Sequence, residues 1–527
     1  MLSALSLTAC SDDSFAGDAP KDWAGTTTAY EPTDEAGFST FYTPAIGRVG
    51  DPMPFYDQKA GNFKVMYLQE YDNNGSCYHP FWAVETSDGA SYKSLGEWLP
   101  TASYPTEQDA ALGTGCCYYN EKDQLYYIYY TGHSDALNIK EAVMRATSPD
   151  LKTWTKDNSW TLYGKDSNLS STDFRDPQIF QDGSTYHMII ATKPATGGDP
   201  CFADYTSADM KDWKFESTIK MIWDRFLECP DVFQMNGYWY MVYSESTRTS
   251  WSRKVKYMMA KSWDELKKCF NEGPKWPDEH EGILDTRAFY AGKTASNGTD
   301  RYIWGWCPFR VGGNMYEKNV NVGAGEGNEP AWSGALVCHK LQQNADGTLT
   351  CVAVPGLAAK YSQQKEVKVI EQNKDYTLYS RLGKHNHISF TVKTAGQDDK
   401  FGISFVRSSD NEKYYTLTFN NPHDNNKELR HILLQQDGSD IFIPEEDGEG
   451  YYIKGPVVID ATDGYFVKVP EDNTYKIDIY TDNSVMVMYV NNNTCYTGRI
   501  YGIEKNCWSI NTYTGSITVS DLKISEY

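Results

Sequence analysis

The chain is predicted to be all-β, a five-bladed β-propeller followed by a C-terminal β-sandwich, and three observations carry that prediction. Tyr-rich apolar strands recur with a Ser-x-Asp turn at roughly 50–65-residue spacing, the mark of a repeat built from strands. From about residue 366 the pattern changes to shorter alternating strands parted by Asp, Asn and Gly, as in a sandwich. With 527 residues the chain exceeds one ordinary core, and two or three domains are expected. The 41 glycines, 39 tyrosines and 14% aromatic content suit strands and sugar-facing surfaces alike, since aromatic side chains favour strands whatever they touch.

Residues 1–10, MLSALSLTAC, form a short apolar run that ends on a cysteine after a small residue. It resembles the lipobox of bacterial lipoproteins, which implies acylation of Cys10. The basic stretch that usually precedes such a run is missing, which fits a start further upstream. Ser11, Asp12, Asp13 and Ser14 resemble the acidic tag of surface-exported lipoproteins. A lipid-anchored protein of the bacterial cell envelope is therefore expected, on the outer-membrane surface or its periplasmic face. Attachment to the membrane would run only through Cys10, and outer-membrane glycan-uptake partners are expected beside it. No later stretch of about 20 apolar residues follows to span a bilayer. Residues 11–37 are polar and rich in Gly, Pro and Thr, as in a tether.

The propeller is placed at residues 38–345. Its blade strands include FKVMYLQ (63–69), LYYIYYTG (125–132), TYHMIIAT (185–192), YWYMVYSES (238–246) and RYIWGWC (301–307). The turns that follow are Thr86-Ser87-Asp88, Thr147 to Trp154, Thr206 to Trp213 and Lys261 to Leu266, and the last strand has no clear copy. Asp182-Gly183 and Asn236-Gly237 are pairs that tolerate positive φ in hairpins. Periodicity of this kind also admits a large β-sandwich or a β-helix. Residues 346–365 read as a closing connector and 366–527 as the sandwich, either a carbohydrate-binding module or a brace.

Charge and cysteines narrow the partners. A net charge of −22 argues against nucleic acid, whose phosphates require a basic surface. Eleven cysteines follow Cys10 without a CxxC pair, and no histidine cluster has metal-ligand spacing, so no zinc site is expected. Most of these cysteines are expected to be buried and apolar in character, with at most one or two disulfides.

Three segments set a carboxylate beside proline at the start of a blade. They are Gly47-Arg-Val-Gly-Asp51-Pro-Met-Pro, Asp173-Phe-Arg-Asp176-Pro and Phe226-Leu-Glu228-Cys-Pro-Asp231. The first strand of a propeller blade lines the central channel, so acids from three blades would converge at one mouth. Glycoside hydrolysis requires two carboxyl groups flanking the scissile bond, one as nucleophile or base and the other as acid. A third acid nearby can hold sugar hydroxyls and raise the acid's pKa by like-charge repulsion. One Asp-Pro pair is an ordinary turn, but three segments that set an acid close to proline at equivalent places are a stronger signal.

Arg175-Asp176-Pro177 and Glu228-Cys229-Pro230-Asp231 resemble the Arg-Asp-Pro and Glu-Cys-Pro-Asp motifs of glycoside hydrolase family 32, the invertases, inulinases and levanases. The likeness extends over about residues 40–527. It includes Leu95 to Pro105 with Leu112-Gly-Thr-Gly115, Asp285 to Ala291, Ile303-Trp-Gly-Trp306 and Tyr475 to Val490. It implies Asp51 as nucleophile, Asp176 as transition-state stabiliser and Glu228 as acid/base, with Arg175, Gln69, Trp82 and Thr114 as substrate-binding residues. No cofactor or metal is implied, and the partner is an oligo- or polysaccharide. The implied reaction is a retaining cleavage of β-fructofuranosyl linkages, with the Asp51 and Glu228 carboxyls about 5–5.5 Å apart. The chain departs from the family before Asp51, where Arg48, Val49 and Gly50 replace Trp-Met-Asn. Thr114 stands for the usual Ser. Two alternatives stay open: hydrolysis of another furanoside or pentoside polymer of arabinan or xylan type, and a weakened surface glycan-binding protein.

Overall fold

The computed structural model describes residues 40–71, 78–222, 225–245, 254–272, 281–308, 332–407, 415–423, 426–436, 440–444, 450–454, 457–458, 467–500 and 507–527. Cys10, Cys77 and the tether lie outside them.

Five blades of four strands follow one another. The first holds β1 (Arg48–Asp57), β2 (Asn62–Glu70), β3 (Phe81–Thr86) and β4 (Lys93–Leu99). The second holds β5 (Ala111–Asn120), β6 (Leu125–His133), β7 (Glu141–Ser148) and β8 (Thr155–Leu162). The third holds β9 (Leu169–Asp182), β10 (Thr185–Pro194), β11 (Cys201–Ser207) and β12 (Lys214–Lys220). The fourth holds β13 (Leu227–Met235), β14 (Tyr238–Glu245), β15 (Lys254–Ala260) and β16 (Glu281–Ile283). The fifth holds β17 (Tyr290–Ser296), β18 (Arg301–Pro308), β19 (Gly334–Gln343) and β20 (Leu349–Val352). The innermost strands β1, β5, β9, β13 and β17 touch in sequence, and β17 returns to β1. Val49 pairs with Gly334 of β19 to join the last blade to the first. Closure removes the open edges that a flat sheet would expose.

The recurrent Ser-x-Asp turns have one shared chemistry. Asp88, Asp150 and Asp209 each accept two backbone N–H groups through Oδ1, and Thr86, Ser148 and Ser207 accept two more. The residue after each aspartate, Gly89, Leu151 or Met210, sits at positive φ. The short side chains replace the backbone partners that a tight turn leaves unmet. The fourth copy differs: Ser262 Oγ accepts the Glu265 N–H and caps a helix, α1 (Trp263–Glu272). Its Trp263, Leu266 and Phe270 fall on one buried face, a spacing of three and four residues that strand-dominated surroundings obscure.

Leu349–Val352, within the stretch expected to be a connector, pairs with β19 and completes the fifth blade. Pro355–Lys360 then forms a short helix, α2. The second domain is two antiparallel sheets. One orders Gln363–Lys365, Ile517–Glu526, His385–Thr394, Thr474–Asp482, Val485–Val490 and Thr494–Arg499. The other includes Val369–Gln372, Tyr376–Tyr379, Cys507–Thr512, Phe401–Arg407, Tyr415–His423 and Asn426–Gln436. Ile388, Phe390, Ile403, Leu417, Ile477, Met488 and Trp508 fill the space between the sheets.

The sandwich is welded to the propeller rather than tethered. Tyr480, Val485, Val487 and Tyr489 belong to the same apolar cluster as Phe41, Trp82, Phe289 and Trp304 of the propeller. Inside that cluster lies a polar knot. Asp285 accepts the backbone N–H groups of Thr286 at 2.7 Å and Thr497 at 3.0 Å. His339 bridges Asp285 at 3.0 Å and the Tyr489 hydroxyl at 2.8 Å. Asp285, His339 and Cys495 are also the one group of metal-capable side chains gathered among the described residues. Their ligand atoms are engaged in these bonds, with Cys495 Sγ on the Leu284 carbonyl at 3.3 Å. All ten described cysteines are free thiols. No helix among the described residues is long and apolar enough to cross a membrane.

Candidate active site

Every innermost strand breaks its ladder near the same end of the channel, and β9 breaks a second time toward its start. The register shifts between Gly50 and Met53, between Gly113 and Gly115, beside Arg175 to Gln178, between Glu228 and Asp231, and between Tyr290 and Lys293. Bulges bend a strand and re-aim the extra side chain. The motif prolines 52, 177 and 230 stand in three of these breaks, where no ladder donor is lost. Asp176, Cys229 and Ala291 take positive φ there, a conformation that non-glycine residues adopt mainly where surrounding structure enforces it. The Asp-Pro signature is therefore the sequence trace of a bulge that turns a carboxylate toward the mouth.

Asp51, Asp176 and Glu228 are brought together. Asp51 accepts the Thr114 hydroxyl at 2.7 Å and the Trp306 indole N–H at 2.9 Å, one on each carboxylate oxygen. Burial holds its carboxyl above the ordinary range, the two hydrogen bonds pull it back, and the charge of Glu228 adds to the rise. Asp176 is buried and accepts the Cys229 N–H at 2.8 Å, while its own N–H donates to Thr131 Oγ1 at 2.9 Å. Burial and then the Glu228 charge push it up to about 7 against the pull of Arg175. Glu228 is held by Arg175 Nη2 at 3.2 Å on one oxygen and by the Tyr290 hydroxyl at 3.0 Å on the other.

Arg175 lies across the face of Phe226, 4.2 Å from its centroid, and its Nη1 faces Glu141 at 3.3 Å and Asp173 at 3.4 Å. Burial alone would lower its pKa, and Glu228, Glu141, Asp176 and Asp173 together hold it well above its usual value. Asp231 of the Glu-Cys-Pro-Asp motif takes a different part: its carboxylate accepts the Thr294 N–H at 2.7 Å and the hydroxyl at 2.6 Å. It ties the fourth blade to the fifth. Below the acids the channel opens into a cavity of about 310 Å³ lined by residues of all five innermost strands, Lys293 among them, and by Arg301 of β18.

Of the expected sugar-binding residues, Arg175 and Thr114 touch the acids directly. Gln69 is buried, and its amide donates to the Ile46 carbonyl at 2.6 Å, bracing the segment that leads into Asp51. Trp82 is 1% exposed and packs in the core shared with the sandwich, so the structure corrects its assignment to the sugar-binding wall. Trp332 stands at the site instead, packed with Cys229, Tyr290 and Trp306 and ring-to-ring with His79 at 4.7 Å. A Cβ at position 50 would collide with Cη2 of Trp332, so the glycine before Asp51 leaves that indole its place. Tyr290, Trp306 and Trp332 were not singled out by sequence. Trp306 sits in the quoted Trp-Gly-Trp stretch, but nothing local marks its indole N–H as a partner of a carboxylate 255 residues away.

Closure of five strands around two carboxylates that face one mouth, with a third beside them, is the arrangement of a propeller glycosidase. The family description "Glycosyl hydrolases family 32 N-terminal domain" matches residues 42–321, and "GH32, BT1760-like, C-terminal domain" matches residues 347–524. The chain belongs to glycoside hydrolase family 32. A sucrose-6-phosphate hydrolase of Staphylococcus xylosus is 28% identical over 205 residues, covering 37% of this chain and 39% of that protein. A fructan beta-fructosidase of Streptococcus mutans is 34% identical over 161 residues, covering 29% of this chain and 10% of that one. The matches thus span well under two thirds of these relatives. The fold is shared with an exo-inulinase from Aspergillus awamori, with a TM-score of 0.67, 14% identity and coverage of 94% of this chain and 98% of that one.

Proposed function

We propose that the protein hydrolyses β-fructofuranosyl linkages in fructans or sucrose-type oligosaccharides, with retention of configuration. Two carboxylates with opposite surroundings support the reading. Asp51 has both oxygens bonded by neutral donors, which favours the anion that attacks the anomeric carbon. Glu228 is aimed at the same mouth by a cation and a phenol, placed to protonate the leaving oxygen and then to activate water. Asp176 lies within reach of the charges of both, able to hold ring hydroxyls and to gain from the positive charge that develops on the sugar. Relatives named as fructosidase and sucrose-6-phosphate hydrolase point to the same linkage.

Release of fructose from levan, inulin and sucrose tests the proposal, with Asp51→Asn and Glu228→Gln as controls. Each variant should lose at least about 10³-fold in kcat, and the first-formed anomer, read by NMR, should retain its configuration. Absence of turnover on every fructosyl substrate would refute it, as would an inverted first product. Oligosaccharide binding that survives Glu228→Gln unchanged, without wild-type turnover, would mark a glycan-binding protein. The proposal includes envelope anchoring through Cys10. Labelled palmitate should enter the wild-type protein in a bacterial host and be absent from Cys10→Ala.

A further inference from the structure

We propose that Glu141 is a positioning residue that keeps Glu228 competent as an acid by dividing the charge of Arg175. The inference rests on the role of Glu228 given above. Glu141 opens β7 in the second blade, is 7% exposed, and touches neither Asp51 nor Glu228. It makes two attachments to the third blade: Oε2 accepts the Phe174 N–H at 2.7 Å and faces Arg175 Nη1 at 3.3 Å. The other arm of the same guanidinium, Nη2, reaches Glu228 at 3.2 Å. One cation therefore bridges a carboxylate that meets the sugar and one that does not.

A guanidinium given wholly to Glu228 would stabilise its anion and strip it of the proton it must deliver. Three other acids share that cation. Asp173 faces Nη1 at 3.4 Å but has its own cation in Lys193 at 2.8 Å. Asp176 acts on Arg175 through space and is bonded to Cys229. Glu141 has only His133 besides, whose Nδ1 lies 3.7 Å away at the end of β6 and whose Nε2 turns to Asp135 at 3.5 Å. Around Glu228 itself stand Arg175, the Tyr290 hydroxyl, Asp51 and Asp176. Glu141, whose one further partner is the more distant His133, is thus the stronger counterweight to Glu228 across Arg175. Removing its charge has two effects of one sign: a distant anion is lost, and the guanidinium acts on Glu228 with less to neutralise it.

Glu141→Gln isolates that charge, because the amide oxygen can still accept the Phe174 N–H in an isosteric side chain. The alkaline limb of kcat/KM should move to lower pH by roughly one unit, while the rate on the plateau stays within about threefold. Glu141→Asp, which keeps the charge, should leave the limb at its wild-type position even where the rate falls. Asp173→Asn, at a more exposed site on the same guanidinium arm, should shift the limb in the same direction by less, and it decides the matter if Glu141→Gln does not fold. The Glu228 carboxyl followed by carbon NMR, assigned with Glu228→Gln, reads the same shift without turnover. A wild type that cleaves no fructoside sinks the functional proposal alone. A titration of Glu228 and an alkaline limb that superimpose on wild type in folded Glu141→Gln and in Asp173→Asn overturn this one.

Discussion

Thr114→Val removes one hydroxyl and leaves the shape of the site, and its consequence can be worked from the structure. The hydroxyl donates to Asp51 Oδ2 at 2.7 Å, and the Thr114 carbonyl keeps its own bond from Thr131, so only one interaction is lost. A hydrogen bond to a charged group contributes about 1.5–3 kcal/mol, which corresponds to roughly 1–2 pH units at 1.36 kcal/mol per unit. Burial already lifts the Asp51 carboxyl, and Thr114 is the first of the two bonds that hold it down. Its loss should therefore raise the pKa of the nucleophile. Because the nucleophile must be ionised, the acidic limb of kcat/KM should move to higher pH by about 1–2 units. Above that limb the rate should approach wild type, and below it activity should fall by about 10–100-fold. A pH series on sucrose or a short fructan measures this. An unmoved acidic limb with a uniform loss of rate would refute the reasoning and assign the hydroxyl to substrate contact instead.

Asp176→Asn should abolish activity yet stabilise the fold. The folded-state pKa is raised from 3.8 to about 7, so ionisation works against folding as pH rises from about 4 through 7. The variant should melt at least about 2 °C above wild type at pH 8, and the gap should close as pH falls toward 4. His339→Ala should cost about 3 kcal/mol by leaving Asp285 short of a partner in the interdomain core, measured by urea unfolding as a shift of midpoint. Gly50→Asn should displace Trp332 and lower kcat/KM at least about tenfold, whereas Gly50→Asn with Trp332→Ala should recover part of the loss. Equal activity of the two variants would show that the indole does not contest that space.

The legible part of the site lay where chemistry and backbone demand coincide locally. Asp176 and Glu228 could be read because each neighbours a proline that a bulge tolerates and a ladder does not. Asp51 could be read from its place at the head of the first blade. Trp82 was misplaced because an aromatic near a sugar-binding segment and an aromatic facing the core look alike along one strand, where a single-residue change of register reverses the face. The helix at Trp263–Glu272 was obscured because its first residues copy the turn motif of the other blades. Glu141, Tyr290, Trp306 and Trp332 carry no local mark. Each matters only for what stands opposite it.

The sequence by itself determined the blades, the sandwich and the positions of the three clustered carboxylates, since strand alternation, turn-forming side chains and proline act within a few residues of where they stand. Only the tertiary structure decided what surrounds those carboxylates. The Asp51 partners come from blades two and five, the Glu228 partners from blades three and five, and the stand-in for the side chain missing at Gly50 comes from Trp332. The physical reason is closure. A ring of five strands juxtaposes side chains hundreds of residues apart, and protonation depends on those neighbours rather than on neighbours in the chain.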